Sequence, residues 1–217
     1  MSQETRDKLL KAATQLFAEK GFSGARVDEI AARAKANKAM IYYHFGAKEE
    51  LYQAVLLRLF APVIDAVDHV EAEVQEPREK LSAFYRRLAQ LFGREPALPA
   101  IMTREALDGG RHMAPQTAQV LTRIVGFVAS AVETGVASGR LRRVHPLTLH
   151  LSMIGPLLLF FVGETFRNRV LAAAAPDLAP LDTAAFLDFL DHLLGRGLAP
   201  ANDGAATPAA PARQETV

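Results

Sequence analysis

The stretch from Arg26 to Lys48, RVDEIAARAKANKAMIYYHFGAK, constrains this chain more than any other segment. It reads as two short amphipathic helices joined by a tight turn, and no carboxylate occurs between Glu29 and Glu49. Within that window Arg33, Lys35, Lys38 and Lys48 stand with Asn37, Tyr42, Tyr43 and His44. Phosphates repel carboxylates, whereas ammonium and phenol groups bond to phosphate oxygens. A short helix carrying cations, phenols and an amide but no acid therefore suits a polyanion lying in a groove. On charge alone, a solvated helical hairpin that lacks acids by chance is an equal alternative.

The flanking residues move that balance. Thr5 is placed to cap a first helix whose apolar residues Leu9, Ala13, Leu16 and Phe17 follow the 3.6-residue period. Gly21 and Gly24 bracket a turn. Val27, Ile30 and Ala31 give the second helix one apolar face, and Asp28 and Glu29 occupy its first turn, where the helix dipole favours negative charge. Asn37 is a good N-cap for a third helix with Met40, Ile41 and Phe45 as candidates for its buried side. Three short helices closing on Phe17, Ile30, Ile41 and Phe45 make a helix-turn-helix, with Lys38, Ala39, Tyr42 and Tyr43 outward.

Over residues 5–55 the chain resembles the TetR/AcrR family of bacterial transcriptional repressors. The resemblance rests on TRDKLLKAATQLFAEKGF, VDEIAARA and NKAMIYYHFGAKEELY. It implies a third helix that enters the major groove, with Lys38, Ala39 and Met40 where base contacts are made. Tyr42 and Lys48 match the usual phosphate contacts; Tyr43 and His44 are candidates for further ones. Three positions depart from the pattern. Lys35-Ala36 replaces the usual Gly-Val of the turn, where a non-glycine residue in the left-handed region costs roughly 1–2 kcal/mol. Arg26 replaces a capping Thr; it cannot cap, but it can reach a phosphate. Met40 replaces a small residue, so base readout there should differ from that of other members.

Composition bounds the rest. A chain of 217 residues holds one large or two small domains. Its 50% apolar and 23% charged content indicates a globular protein with a sizeable core. The absence of Cys excludes disulfides and thiolate metal sites, and fits a reducing cytoplasm. The charged N-terminus has no apolar run, so no signal peptide is expected. The formal net charge is only +1, and residues 1–50 carry nine Lys and Arg against seven Asp and Glu. DNA affinity must then come from placement and dimerisation rather than a general positive field.

Beyond residue 47 the pattern predicts helices broken by Pro and Gly: 48–74, 81–92 after the QEPREK break, 98–107, 115–137, 146–171 and 182–195. Leu147–Val162 is the most hydrophobic stretch. About 20 apolar residues are needed to span a bilayer, and this one is interrupted by His150, Ser152, Gly155 and Pro156. A helix apolar nearly all round is better read as buried on every side, one face on its own core and another on a second subunit. Leu147, Leu151 and Leu158, with the stripe Phe186, Phe189, Leu190 and Leu193, are the expected dimer interface, an arrangement that the resemblance also implies.

Enzyme signatures are poor, and no catalytic residue, metal or cofactor is expected. Gly21-Phe22-Ser23-Gly24 lacks nucleophile-elbow spacing and a preceding strand. No i, i+4 pairing of a His with a carboxylate suggests a metal site, and His112 with Glu105 and Asp108 reads as a surface turn. A mostly apolar effector pocket is expected from Phe60, Phe84, Leu88, Met102 and Phe127, with Tyr85, Arg104 and Glu105 orienting a polar end. For any one of these residues a plain core role is the simpler reading.

The expected organisation is all-α: a helix-turn-helix DNA-binding domain at 1–47, a helical effector-binding and dimerisation domain at 48–198, and a tail without fixed structure at 199–217. The expected protein is a cytoplasmic, homodimeric, ligand-responsive regulator, with double-stranded DNA and a small-molecule effector as partners and no membrane. A DNA-binding protein without an effector, and a helical ligand-sequestering or interaction protein without operator binding, stay open.

Overall fold

Ten α-helices, and no strand among the described residues, form the computed structural model, which describes residues 3–174, 177 and 181–200. The first three helices are α1 (Gln3–Gly24), α2 (Val27–Arg33) and α3 (Ala39–Phe45). Seven-residue helices do not persist alone in water, so α2 and α3 exist by burial. Ile30 and Ile41 are fully buried with Leu9, Leu16 and Phe17 of α1 and with Leu51, Tyr52 and Val55 of α4 (Lys48–Glu73). Thr5 lies inside α1 rather than capping it. Gly21 adopts φ 72°, ψ 177° near the end of α1, a conformation open essentially to glycine alone.

The turn between α2 and α3 closes by a recognisable device. The N–H of Ala36 bonds the carbonyl of Ala31 at 2.9 Å, and that of Lys35 bonds Ala32 at 3.1 Å. This Schellman pair satisfies the last carbonyls of α2 and needs a left-handed residue at its corner. That residue is Lys35, at φ 53° the single non-glycine with positive φ among the described residues. Asn37 then caps α3, its Oδ1 accepting from the Ala39 N–H at 2.8 Å.

The remaining helices are α5 (Pro77–Arg94), α6 (Ala97–Leu107), α7 (Pro115–Ala137), α8 (Pro146–Val162), α9 (Glu164–Ala174) and α10 (Thr183–Leu198). Helices α4, α5 and α7 pack together, α8 lies on α5, α6 and α7, and α10 docks on α5. Helix α6 packs on α1 and so connects this bundle to the N-terminal module.

Two boundaries differ from the sequence pattern for clear reasons. Helix α5 starts at Pro77 rather than Leu81, because Pro77 suits a first helical turn and the Glu76 carboxylate accepts from the Glu79 N–H at 2.7 Å. The helix expected over 146–171 breaks at Gly163, and α9 leaves at 71° to α8. A Cβ at Gly163 would stand 2.5 Å from the Leu159 carbonyl oxygen. Arg167 folds back to donate to the Phe160 carbonyl at 2.7 Å, with its guanidinium 4.3 Å from the Phe160 ring centroid. Freed carbonyls at the end of α8 thus receive a charged donor. Helix α10 begins as expected, with Asp182 Oδ1 accepting from Ala185 N–H. Of the 172–180 loop, residues 172–174 belong to α9; the rest, save Asp177, lies outside the described residues, as does the tail from 201.

Candidate nucleic-acid interface

Helix α3 divides by its own period. Ile41 is buried and Phe45 partly so, while Ala39, Tyr42 and Tyr43 face solvent, Tyr42 at 48% and Tyr43 at 68% exposure. Buried residues fix the helix rotationally, so the outward set is presented in one orientation. Lys38, Asn37, Lys35 and Arg26 are also exposed. Arg26 occupies the extended position before α2 and makes no side-chain cap. Met40 is half-buried against the core, which narrows its reach toward a base edge.

Four cations are held rather than loose. Lys38 Nζ lies 2.9 Å from Asp28 Oδ1, and that hydrogen bond raises its pKa. Lys48, the first residue of α4, stands 4.4 Å from the Phe22 ring centroid. Burial lowers its pKa, and the aromatic face supports the charge in part return. Arg33 pairs with Glu19 at 2.6 Å and Lys20 with Glu29 at 2.9 Å, both bracing α2 on α1. His44 keeps its Nε2 buried without a hydrogen-bond partner, its ring edge-on to Tyr43 at 5.0 Å. It therefore offers less to a phosphate than its position in sequence implies. The sequence pattern did not show the Asp28 partner of Lys38, because the contact spans two helices.

The residues expected to form an effector pocket separate. Phe60, Phe84, Tyr85, Leu88 and Phe127 are buried, with the Phe84 and Phe127 ring centroids 5.2 Å apart; Met102 is partly buried against the hydrophobic core. Tyr85 Oη and His150 Nδ1 meet at 3.1 Å, and burial raises the Tyr85 pKa and lowers that of His150. Arg104 departs from this group. It is exposed and donates to the Ala18 and Glu19 carbonyls at 3.1 and 2.7 Å, fastening α6 to α1. Glu105 joins another cluster, accepting from Tyr52 Oη at 2.6 Å with His112 Nδ1 at 3.2 Å. This is an internal contact rather than the surface turn the spacing suggested: Glu105 is 3% exposed and the His112 ring lies 4.5 Å from that of Phe22. Among the described residues no group of three or more His, Cys, Asp and Glu is arranged to hold a metal ion.

The expected dimer residues also divide. Leu147, Leu151, Phe189 and Leu193 are exposed, Leu158 and Phe186 are partly buried, and Leu190 is buried in its own subunit. Leu190 faces α5 because α10 is pinned there by Arg86 to Asp188 at 2.9 Å and Ser82 to Asp191 at 2.5 Å. Leu159 on α8 and Phe166 on α9, each 74% exposed, were not singled out from the sequence. They line an apolar cleft of about 400 Å³ with Val170, Leu181 and Phe186. The break at Gly163 creates that cleft, and a continuous helix over 146–171 hides it.

Comparison with known proteins agrees with this geometry. The family described as bacterial regulatory proteins, tetR family, matches residues 9–55, and the tetracyclin repressor-like C-terminal domain matches residues 77–175. The HTH-type transcriptional repressor NicS of Pseudomonas putida is 32% identical over 200 residues, 91% of this chain and 93% of that protein. A TetR family transcription regulator from Marinobacter aquaeolei superposes with TM-score 0.70 at 23% identity, covering 91% of this chain and 97% of its own. The fatty acid degradation regulator FadR from Bacillus halodurans gives TM-score 0.67 at 17% identity, with coverages of 89% and 95%. The chain belongs to the tetR family of DNA-binding transcriptional regulators.

Proposed function

We propose that the protein is a repressor that binds an inverted repeat as a homodimer and is released by a small, mostly apolar effector. The observation that carries the DNA reading is the outward face of α3: Ala39, Tyr42 and Tyr43, flanked by Lys38 and Lys48, on a helix fixed by buried Ile41. Dimerisation is supported by exposed Leu147, Leu151 and Leu159 on α8 and by Phe189 and Leu193 on α10. These two helices border a cleft of about 280 Å³, and apolar side chains gathered on adjoining helices favour a protein contact over water.

Control is proposed to run through α6. That helix holds α1 through Arg104 and α4 through the Tyr52–Glu105 bond, and it carries Met102 into the core. An effector entering among Met102, Phe84, Leu88 and Phe127 must repack them, with the Tyr85–His150 pair as its polar anchor. It releases DNA only by preferring the unbound conformation.

Selection from a random-sequence duplex library tests the reading. Enrichment of an inverted repeat with half-sites an integral number of helical turns apart is expected. A library that yields no enriched sequence would overturn it in favour of a ligand-sequestering or interaction protein.

A further inference from the structure

A second cationic surface lies on the N-terminal module, beside the turn that precedes α3. A cleft of about 320 Å³ between α1 and the α2–α3 turn is lined by Lys8, Lys11, Gln15, Arg33 and Lys35, with Ala12 and Ala34 at its floor. Four cations and an amide line it, and no carboxylate does. Lys8 is paired with Glu4 at 2.6 Å and Arg33 with Glu19 at 2.6 Å. Lys11 and Lys35, both exposed, make no ion pair among the described residues. Two ammonium groups without an ion-pair partner among the described residues therefore border one hollow, where both are available to an anion.

The backbone of Lys35 strengthens the case. It holds φ 53°, a conformation that glycine adopts without steric penalty. Strain of this kind persists where the residue that bears it is needed. The Schellman closure requires a left-handed residue, but it does not require a lysine. What lysine adds is a cation at the cleft mouth.

We infer that this cleft binds a DNA backbone phosphate at the rim of the major groove read by α3, through Lys11 and Lys35. The inference rests on the DNA-binding reading and extends it to a contact outside the recognition helix. Lys35 is three residues from Lys38, so their Cα atoms lie at most about 11 Å apart. That reach is within the roughly 12 Å width of the major groove, so a Lys35 ammonium beside the groove-facing residues can meet a bordering phosphate. Such a contact positions the module without reading sequence.

The test measures the salt dependence of binding to a fluorescent duplex of mixed sequence, about 40 base pairs long, and to any duplex enriched by selection. Each phosphate contact contributes about 0.9 to the slope of log affinity against log salt. Lys11→Gln and Lys35→Gly should each flatten the slope by about one unit on both duplexes, with selectivity between the duplexes unchanged. Lys35→Gly should do so without lowering Tm, since relief of the left-handed strain offsets the added chain freedom. Unchanged slopes in both variants, with wild-type binding intact, would overturn the inference while leaving the DNA-binding reading standing. Failure of wild-type protein to bind either duplex would overturn both. Inorganic phosphate titrated calorimetrically in the absence of DNA separates the sources: phosphate binding lost in both variants, with both duplex slopes unchanged, would assign the cleft to the free anion and overturn the backbone contact.

Discussion

Helices α3 and α10 are built on the same period and present opposite chemistry. Helix α3 hides Ile41 and turns Tyr42 and Tyr43 to solvent, whereas α10 hides Leu190, Leu194 and Leu198 and turns Phe189 and Leu193 out. Both bury one stripe for stability. The opposite stripe of α3 carries hydroxyl groups, and that of α10 carries hydrocarbon. A hydroxyl-bearing face loses little by staying wet, and it gains partners when a polyanion arrives. A hydrocarbon face on a pinned helix gains only by meeting another apolar surface. The inward stripe thus specifies the fold and the outward stripe specifies the partner.

The largest expected effect breaks the outward stripe of α10. Phe189→Asp should give monomers by sedimentation, with the fold preserved because the side chain is 61% exposed. Losing the linked second half-site should reduce operator affinity by roughly 10²–10⁴ fold. An unchanged dimer would place the subunit contact elsewhere, with the α8–α9 cleft as the next surface to probe. The matching experiment on α3 separates its two stripes. Ile41→Ala empties a fully buried site and should lower stability by about 2–5 kcal/mol. Tyr43→Ala should alter stability by no more than about 0.5 kcal/mol while weakening DNA binding. Equal stability losses in the two would show that the outward face of α3 is structural.

Much of the module was legible because its signals are local. The acid-free window, the Asn37 cap and the strained Lys35 corner each lie within a few residues, and each has a direct counterpart in the structure. The inward half of α10 was less legible. Phe186, Phe189, Leu190 and Leu193 form one stripe in sequence, but Arg86 and Ser82, over 100 positions earlier, decide which of them α5 covers. Composition cannot reveal that choice. Arg104 misled for a related reason: next to Met102 it resembles a pocket residue, yet its reach to Ala18 and Glu19 depends on how α6 lies across α1. Gly163 carried a local signal, since Gly-Glu ended the apolar run, but the 71° bend depends on Arg167 returning to Phe160.

A smaller effect tests the polar stripe through its one internal acid contact. Asp28 holds Lys38 at 2.9 Å, so Asp28→Asn should free the cation and remove a like charge from the phosphates. Non-specific affinity should rise and the salt slope steepen by up to about one unit. A fluorescence titration across salt concentrations checks this, and weaker binding would mean that Asp28 orients Lys38 productively.

The smallest expected effect lies inside the bundle, where Tyr85 and His150 form a polar pair in apolar surroundings. Burial lowers the His150 pKa, so the folded protein resists a proton that the unfolded chain accepts near pH 6.5. Between the folded-state pKa and 6.5 the unfolded state binds more protons, and stability therefore rises with pH in that window and falls on acidification. A tenfold change in proton affinity corresponds to about 1.4 kcal/mol, which bounds the contribution per pH unit. Urea midpoints at pH 7.5 and 5.5 should show a drop in wild type that is reduced in His150→Gln, which keeps a hydrogen-bonding group for Tyr85 without titrating. An identical drop in the variant would assign the acid sensitivity to other histidines. A reduced drop would show that the interior of the bundle, unlike the wet face of α3, admits charge only at a cost in stability, as burial of a titratable group in apolar surroundings requires.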